Sequence, residues 1–350
     1  MSIVVSQWAC LTPLGESAQD SCFAYRAGSS GLRECPIVDK NGDAVTLASI
    51  PVIDPTVEGL KRVHTLAYSV MNTLLDKCGT TLHRQRMKLY LLLDEYLDQR
   101  DEMNANIVDG VALQLQEELR NRTGTTTKIE VVSTGAGGLG ALLGTISQEL
   151  EAGQYEFAVI ISAHSDYGVT RIRELSENDR IYSSDNLDAL LLGEAGAGVL
   201  LCTDRTARTF DLVSPVAITS VHNTHEKARW NNDESAFEAA GLTVASRHVL
   251  ASPELKGRPI GWLSTDMSFE MFRVHELQTV MARVQSRLAS PQVLEAPCQR
   301  IGHMGSVVGL WQIIYAAEAF MRGYAPAPDC LCLLGSDTGH RTAFILSISN

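Results

Sequence analysis

Three short segments hold the residue types that acyl-transfer or acid–base chemistry needs. The first is Ser133-Thr134-Gly135-Ala136-Gly137-Gly138, set between the apolar run Ile129–Val132 and a helical stripe made by Leu139, Leu142, Leu143, Ile146 and Leu150. A turn that opens a helix offers free backbone N–H groups and the positive end of the helix dipole. A nucleophile placed there has a lowered pKa and an oxyanion cradle beside it. This turn carries two hydroxyls, Ser133 and Thr134, but no thiol, and no cysteine lies anywhere from Asn121 to Leu201. A G-x-S-x-G elbow is also missing from it. Ser133 and Thr134 are therefore expected to satisfy backbone groups of the turn.

The second segment is Ile301-Gly302-His303-Met304-Gly305-Ser306, at a strand-to-helix turn. His303 is suited to proton transfer, and it is equally suited to hydrogen-bonding a buried turn. The third is Leu263-Ser264-Thr265-Asp266-Met267-Ser268, whose Ser, Thr and Asp would cap the helix that follows. Ser264, Asp266 and His303 could alternatively be rewired as a hydrolase-like set. His275 falls on a helix and reads as structural. Met267 and Met304 read as core packing and Arg300 as a surface arginine.

The elements that must position these segments follow from periodicity. Val63, Leu66, Ala67, Val70, Met71, Leu74 and Leu75 form a helical stripe stopped by Gly79, and Val307–Met321 is a strongly apolar helix. Apolar strands are expected at Ile3–Val5, Leu89–Leu93, Ile129–Val132, Phe157–Ser162, Val213–Val221, Asp329–Gly335 and Arg341–Ser349, with helices at Ser17–Arg26, Ile107–Leu119 and Val274–Leu288. Ala189–Leu192 and Val199–Cys202 read as two strands meeting at the small-residue junction Gly193–Gly198, and 203–212 as a polar connector. Gly135–Ser162 and Gly302–Gly335 share one plan of turn, apolar helix, glycine and strand, which points to an internal duplication. The alternation predicts a layered α/β architecture.

Composition narrows the partners. The chain has 350 residues, 45% of them hydrophobic, and a formal net charge of −12. That length buries a large core, and the negative charge disfavours nucleic acid and anionic lipid. No apolar run is long enough to span a bilayer, and the opening MSIVVSQW lacks the charged and apolar regions of a secretion signal. The eight scattered cysteines read as reduced, buried thiols of a cytoplasmic protein, with Cys330 and Cys332 on one face of a strand. No metal-ligand spacing is visible, and neither a metal nor a cofactor is expected.

Four segments in order resemble the β-ketoacyl synthases of the thiolase-like superfamily. They are Thr12-Pro13-Leu14-Gly15 with Tyr25-Arg26-Ala27-Gly28-Ser29-Ser30-Gly31-Leu32, the Gly193-Glu194-Ala195-Gly196-Ala197-Gly198 junction, the Gly302-His303 turn, and the closing loop Leu334-Gly335-Ser336-Asp337-Thr338-Gly339-His340. The resemblance implies a thiolase-like α/β fold, with two pseudo-symmetric halves in α-β-α-β-α layers, divided here as 1–205 and 206–350. It also implies a Cys-His-His site. In this chain Gly135 stands at the cysteine, Ser264 at the first histidine and His303 at the second, so no catalytic set is intact. Cys298 stands where the family has a lysine. The gate is polar at Ser336-Asp337-Thr338 instead of carrying a phenylalanine. Ser133, Thr134, Thr265, Asp266, Met304 and Ser336 are the pocket candidates, and whether they hold a pantetheine arm or line an unused pocket stays open.

The resemblance further implies dimerisation through the strand around Lys128–Ser133. The expected role is a non-catalytic pseudoenzyme that binds protein, as partner subunit of an active synthase in a homodimer or heterodimer, with acyl carrier protein as a further partner. An adaptor or chaperone for an unrelated client, such as an exported effector, stays open. So does an acyl-thioesterase or acyltransferase with a rewired Ser/His site.

Overall fold

The computed structural model describes residues 3–97, 102–230 and 235–349. Met1 and Ser2, which open the signal-free N-terminus expected above, lie outside them. The first half of the chain runs β1 (Ile3–Leu11), α1 (Ala18–Arg26), β2 (Leu32–Val38), β3 (Ala44–Ala48), α2 (Gly59–Cys78), β4 (Met87–Leu93), α3 (Glu102–Thr123), β5 (Ile129–Ser133), α4 (Leu139–Glu151), β6 (Phe157–Ser165), α5 (Val169–Glu177) and β7 (Leu192–Thr203). The second runs α6 (Asp204–Thr209), β8 (Val216–His225), α7 (Ala240–Leu250), β9 (Ile260–Thr265), α8 (Met271–Val284), β10 (Leu288–Glu295), α9 (Cys298–Ile301), α10 (Val308–Met321), β11 (Asp329–Gly335) and β12 (His340–Ile348).

The strands follow the order β10-β9-β11-β12-β8-β1-β7-β6-β4-β5. Each run of five repeats the other. Taken in chain order within its half, each reads third-second-fourth-fifth-first, and the first three in space pair parallel while the rest pair antiparallel. The halves join through a short β1–β8 ladder at Ile3–Val5 and Val216–Ile218. This is the pseudo-symmetric α-β-α-β-α thiolase-like arrangement.

Alternation along the strands sorts the side chains into layers. Tyr90, Leu92 and Ile160 of one half, and Cys330, Cys332 and Leu334 of the other, face a central layer made of α4 and α10. Leu89, Leu91, Val159 and Ile161 face α2 and α3. Leu263, Leu331 and Leu333 face α7 and α8. Because α10 lies between two sheets, all of its residues from Val308 to Phe320 are buried, including Gln312 and Glu318. The Cys330 and Cys332 sulfurs sit 3.9 Å apart on the central face, and all eight cysteines are buried and free.

Several expected elements change. The Gly193–Gly198 junction is no break, because β7 runs straight through it. Its residues are small because α2 lies on the strand: a Cβ on Gly196 would stand 2.7 Å from Val70 Cγ2 and 3.1 Å from the Leu66 carbonyl oxygen. Glu194, buried in that strand, takes Arg62 Nε at 2.5 Å and Nη2 at 2.8 Å, the Ile50 amide at 2.6 Å and Ser165 Oγ at 2.9 Å. It therefore ties β7 to α2 and serves structure. The polar connector contains the short helix α6. The helix expected at Val274–Leu288 starts at Met271 and ends at Val284, so Leu288 begins a strand.

Candidate functional site

The parallel strands end beside the turns that open α4 and α10, and a cleft of about 510 Å³ forms there. Loops after β4, β9 and β11 wall it. Six carboxylates (Asp94, Glu95, Glu174, Asp266, Glu270 and Asp337) and four guanidiniums (Arg171, Arg180, Arg229 and Arg273) line it, together with His303. Such a wall suits charged or strongly polar groups.

Gly135, which the resemblance aligned with the family's cysteine, has φ +62°, a conformation other side chains rarely adopt. A Cβ built on it would collide with the Glu95 carboxylate, which reaches in from the end of β4. Glu95 Oε1 accepts the Asp337 amide at 2.8 Å. Burial, then Asp337 and Asp94, push the Glu95 pKa up to about 7. A carboxyl group thus fills the space a side chain at Gly135 would use. Nearby amides are engaged as well: Gly135 donates to the Leu93 oxygen at 3.0 Å, Gly137 to Ser336 Oγ at 2.8 Å, Gly138 to the Gly135 oxygen at 3.2 Å and Gly140 to Thr342 Oγ1 at 3.2 Å.

Of the residues singled out in the sequence, Asp266, Ser336 and His303 line the cleft. Ser133, Thr134, Ser264, Thr265 and Met304 do not. Ser133 and Thr134 do not satisfy the turn, since both hydroxyls are buried without a partner; the turn's amides find other oxygens, and Thr134 packs over Gly138. The Ser-Thr-Asp segment does not cap α8. Glu270 holds the cap position without a side-chain bond, and Asp266 instead grips Arg273 at 2.7 and 2.8 Å and the Gly335 amide at 2.6 Å. No hydrogen bond joins Ser264, Asp266 and His303 into a relay. His275 is exposed on α8, Arg300 is exposed against Tyr25, and Met304 is fully buried in the central core. Cys298 lines the cleft, but burial pushes its thiol up to about 12, so it is not a thiolate at neutral pH.

The strongest constellation centres on residues that sequence reading passed over. His164 and Asp166, at the end of β6, meet Asp94 from the end of β4 and His303 before α10. Asp94 Oδ1 accepts the Ser306 amide at 2.7 Å, and its Oδ2 lies 2.7 Å from His164 Nδ1. Asp166 Oδ2 stands 3.0 Å from His303 Nδ1 and 3.1 Å from His164 Nε2, while Oδ1 accepts Arg171 Nε at 3.2 Å. Gly305, with φ +47°, is required beneath them, because any Cβ there would strike Asp94 and His164. Burial disfavours charge on His164, but Asp166 and Asp94 outweigh it and push its pKa up to about 10. Burial also opposes charge on Asp166, yet His164 and His303 hold its carboxyl well below the usual range.

A signal for this cluster exists in the sequence. Ser165-Asp166-Tyr167-Gly168 at the end of β6 echoes Ser336-Asp337-Thr338-Gly339 at the end of β11, the equivalent strand of the other half. Both aspartates meet an arginine: Arg171 for Asp166, and for Asp337 Arg180, at 2.5 Å.

The fold has clear relatives among solved structures. The ishigamide ketosynthase/chain length factor superposes with TM-score 0.79 at 14% identity, over 100% of this chain and 99% of that one. A ketosynthase from module 6 of the bacillaene synthase of Bacillus subtilis 168 gives 0.80 at 10%, over 100% and 72%. AntDE:AntF, a type II polyketide synthase acyl-carrier protein in complex with its ketosynthase, gives 0.80 at 9%, over 100% and 99%. The chain has the ketosynthase fold. No known family profile matches the sequence. No curated protein matches it either. Among the described residues, no helix of this ketosynthase-fold chain is long and apolar enough to cross a membrane.

Proposed function

We propose that this chain is a non-condensing, ketosynthase-fold protein of the cytoplasm that works by binding protein, as the partner subunit of an active synthase. The observation that carries the reading is the Glu95 carboxyl lodged against Gly135, where a nucleophile's side chain would stand. Covalent acyl transfer needs a nucleophile with a base, and amides free to receive an oxyanion. Here the amides of Gly135, Gly137, Gly138 and Gly140 are already bonded, and the cleft thiol Cys298 is locked in its protonated form.

Two observations support a protein partner. Among the described residues β5 ends the strand order and pairs with β4 alone, so its outer edge is open to another strand, and Ile129 and Val131 on it are partly exposed beside the exposed Leu113 of α3. The similar structures include a ketosynthase/chain length factor and a ketosynthase held by its acyl-carrier protein. Acyl carrier protein is accordingly a second candidate partner.

The test is incubation with acyl-CoA and with acyl- and malonyl-carrier protein, read by intact mass and by carrier-bound products, alongside co-purification from the native host. No adduct, no condensation and recovery of a synthase subunit are expected. A saturable adduct or product overturns the non-condensing reading. Recovery of a non-metabolic client instead of a synthase favours an adaptor.

A further inference from the structure

The buried His164 and the partly exposed His303 at the cleft floor have a geometry that their ion pairs do not exhaust. His164 is fully buried. Its Nδ1 is fixed by Asp94, yet its Nε2 has no hydrogen-bond partner. Asp166 Oδ2 is 3.1 Å away, a charge contact that does not meet the geometry of a hydrogen bond. A buried ring nitrogen beside a carboxylate oxygen, with His303 Nδ1 on the same oxygen at 3.0 Å, brings three metal-ligand atoms together from two turns.

We propose that His164 Nε2, Asp166 Oδ2 and His303 Nδ1 bind a divalent first-row transition ion, of which Zn²⁺ is the natural class. The three donor atoms all lie within 4.8 Å of one another. Metal–nitrogen and metal–oxygen distances of about 2.0–2.2 Å place neighbouring ligand atoms about 2.8–3.1 Å apart in an octahedral site and about 3.3–3.6 Å apart in a tetrahedral one; the two Oδ2 separations of 3.0 and 3.1 Å match the first, and a small outward shift of the side chains reaches the second. Two imidazoles and one carboxylate are borderline donors that favour Zn²⁺ and its neighbours over Mg²⁺ or Ca²⁺.

The surroundings match as well. Asp94 lies on His164 Nδ1, which leaves Nε2 as the nitrogen that takes the ion when the ion displaces its proton, and Asp94 is itself held by the Ser306 amide. Arg171 holds the other oxygen of Asp166. His303 lines the cleft and is partly exposed, so an ion could enter there and keep an open position facing the charged wall. The donors come from residues up to 139 positions apart (303 − 164), which is why no ligand spacing appears along the sequence. The inference goes beyond the partner-subunit reading and stands without it.

The test is titration of the purified full chain with Co²⁺, followed by Zn²⁺ competition. One equivalent of Co²⁺ with visible ligand-field bands, bleached by Zn²⁺, is expected. His303→Ala should weaken binding about 100-fold or more, and Asp94→Asn about 10- to 100-fold. Absence of bands in the wild type, or unchanged affinity in His303→Ala, overturns the site. Should the variants fail to fold, ¹⁵N histidine spectra of the wild type decide: Zn²⁺ must shift His164 Nε2 and His303 Nδ1 together, and spectra without these shifts overturn it.

Discussion

At Gly135 one backbone conformation and one neighbouring side chain exclude the same thing. Gly135→Ala adds strain at φ +62° and forces Glu95 out, and a loss of about 1–3 kcal/mol is expected in urea unfolding. In a Glu95→Ala background the steric share should disappear, leaving a coupling of at least about 0.5 kcal/mol in the double-mutant cycle; simple additivity would show that Glu95 does not occupy the position. Glu95 also predicts a pH dependence. Its carboxyl holds a proton up to about pH 7 in the fold, against an ordinary value of 4.5. Between those values the folded chain binds more protons than the unfolded one. The stabilisation is therefore full at low pH and is lost as pH rises through about 7. Glu95→Gln cannot titrate, so its stability relative to wild type should rise by about 2 kcal/mol from pH 5 to pH 8, measured by urea unfolding at each pH. A difference independent of pH would contradict the perturbed carboxyl.

At the scale of elements, α2 and β7 depend on each other. The strand is built from glycine and alanine where the helix lies on it, and the buried Arg62–Glu194 pair fixes their alignment. Gly196→Val would press a branched side chain against Val70 and the Leu66 carbonyl, and should destabilise the chain by about 1–3 kcal/mol with a lowered Tm. An unchanged Tm would mean that α2 can move away without cost. The helices that could be read from sequence are those with a clean stripe or an unbroken apolar run. α2 shows its stripe from Val63 to Leu75, and α10 is apolar all round because both sheets cover it. β10 gave no such signal: most of its side chains are exposed, and it includes Pro291, so neither alternation nor an apolar run marks it. The cap position of α7 is Ala239, in a left-handed conformation and with no side-chain cap, which removes the usual start signal.

For the whole molecule, the two halves repeat one strand order, and the open edge lies at β5. Val131→Lys puts a charge on that edge. If β5 forms the partner contact, sedimentation should shift from dimer to monomer while the thermal transition stays within a few degrees. A wild-type chain that sediments as a monomer at micromolar concentration, with no synthase co-purifying, would remove the subunit reading.

The layered α/β fold, and a stretch from Asn121 to Leu201 free of cysteine, were determined by sequence alone, for physical reasons. Apolar period fixes which faces must be buried, and a segment from Asn121 to Leu201 without cysteine cannot supply one in any register. What stands beside Gly135 was decided only by tertiary structure. Glu95 lies 40 positions before Gly135 (135 − 95), and nothing local in the sequence says that the end of β4 points its carboxyl against Gly135. The same holds for Asp94, His164, Asp166 and His303. They sit at the ends of separate strands and turns, and only the stacking of both halves around α4 and α10 brings their side chains within bonding distance. Burial then sets their charge, because the low-dielectric interior strengthens every contact among them, and that environment exists only once the chain has folded.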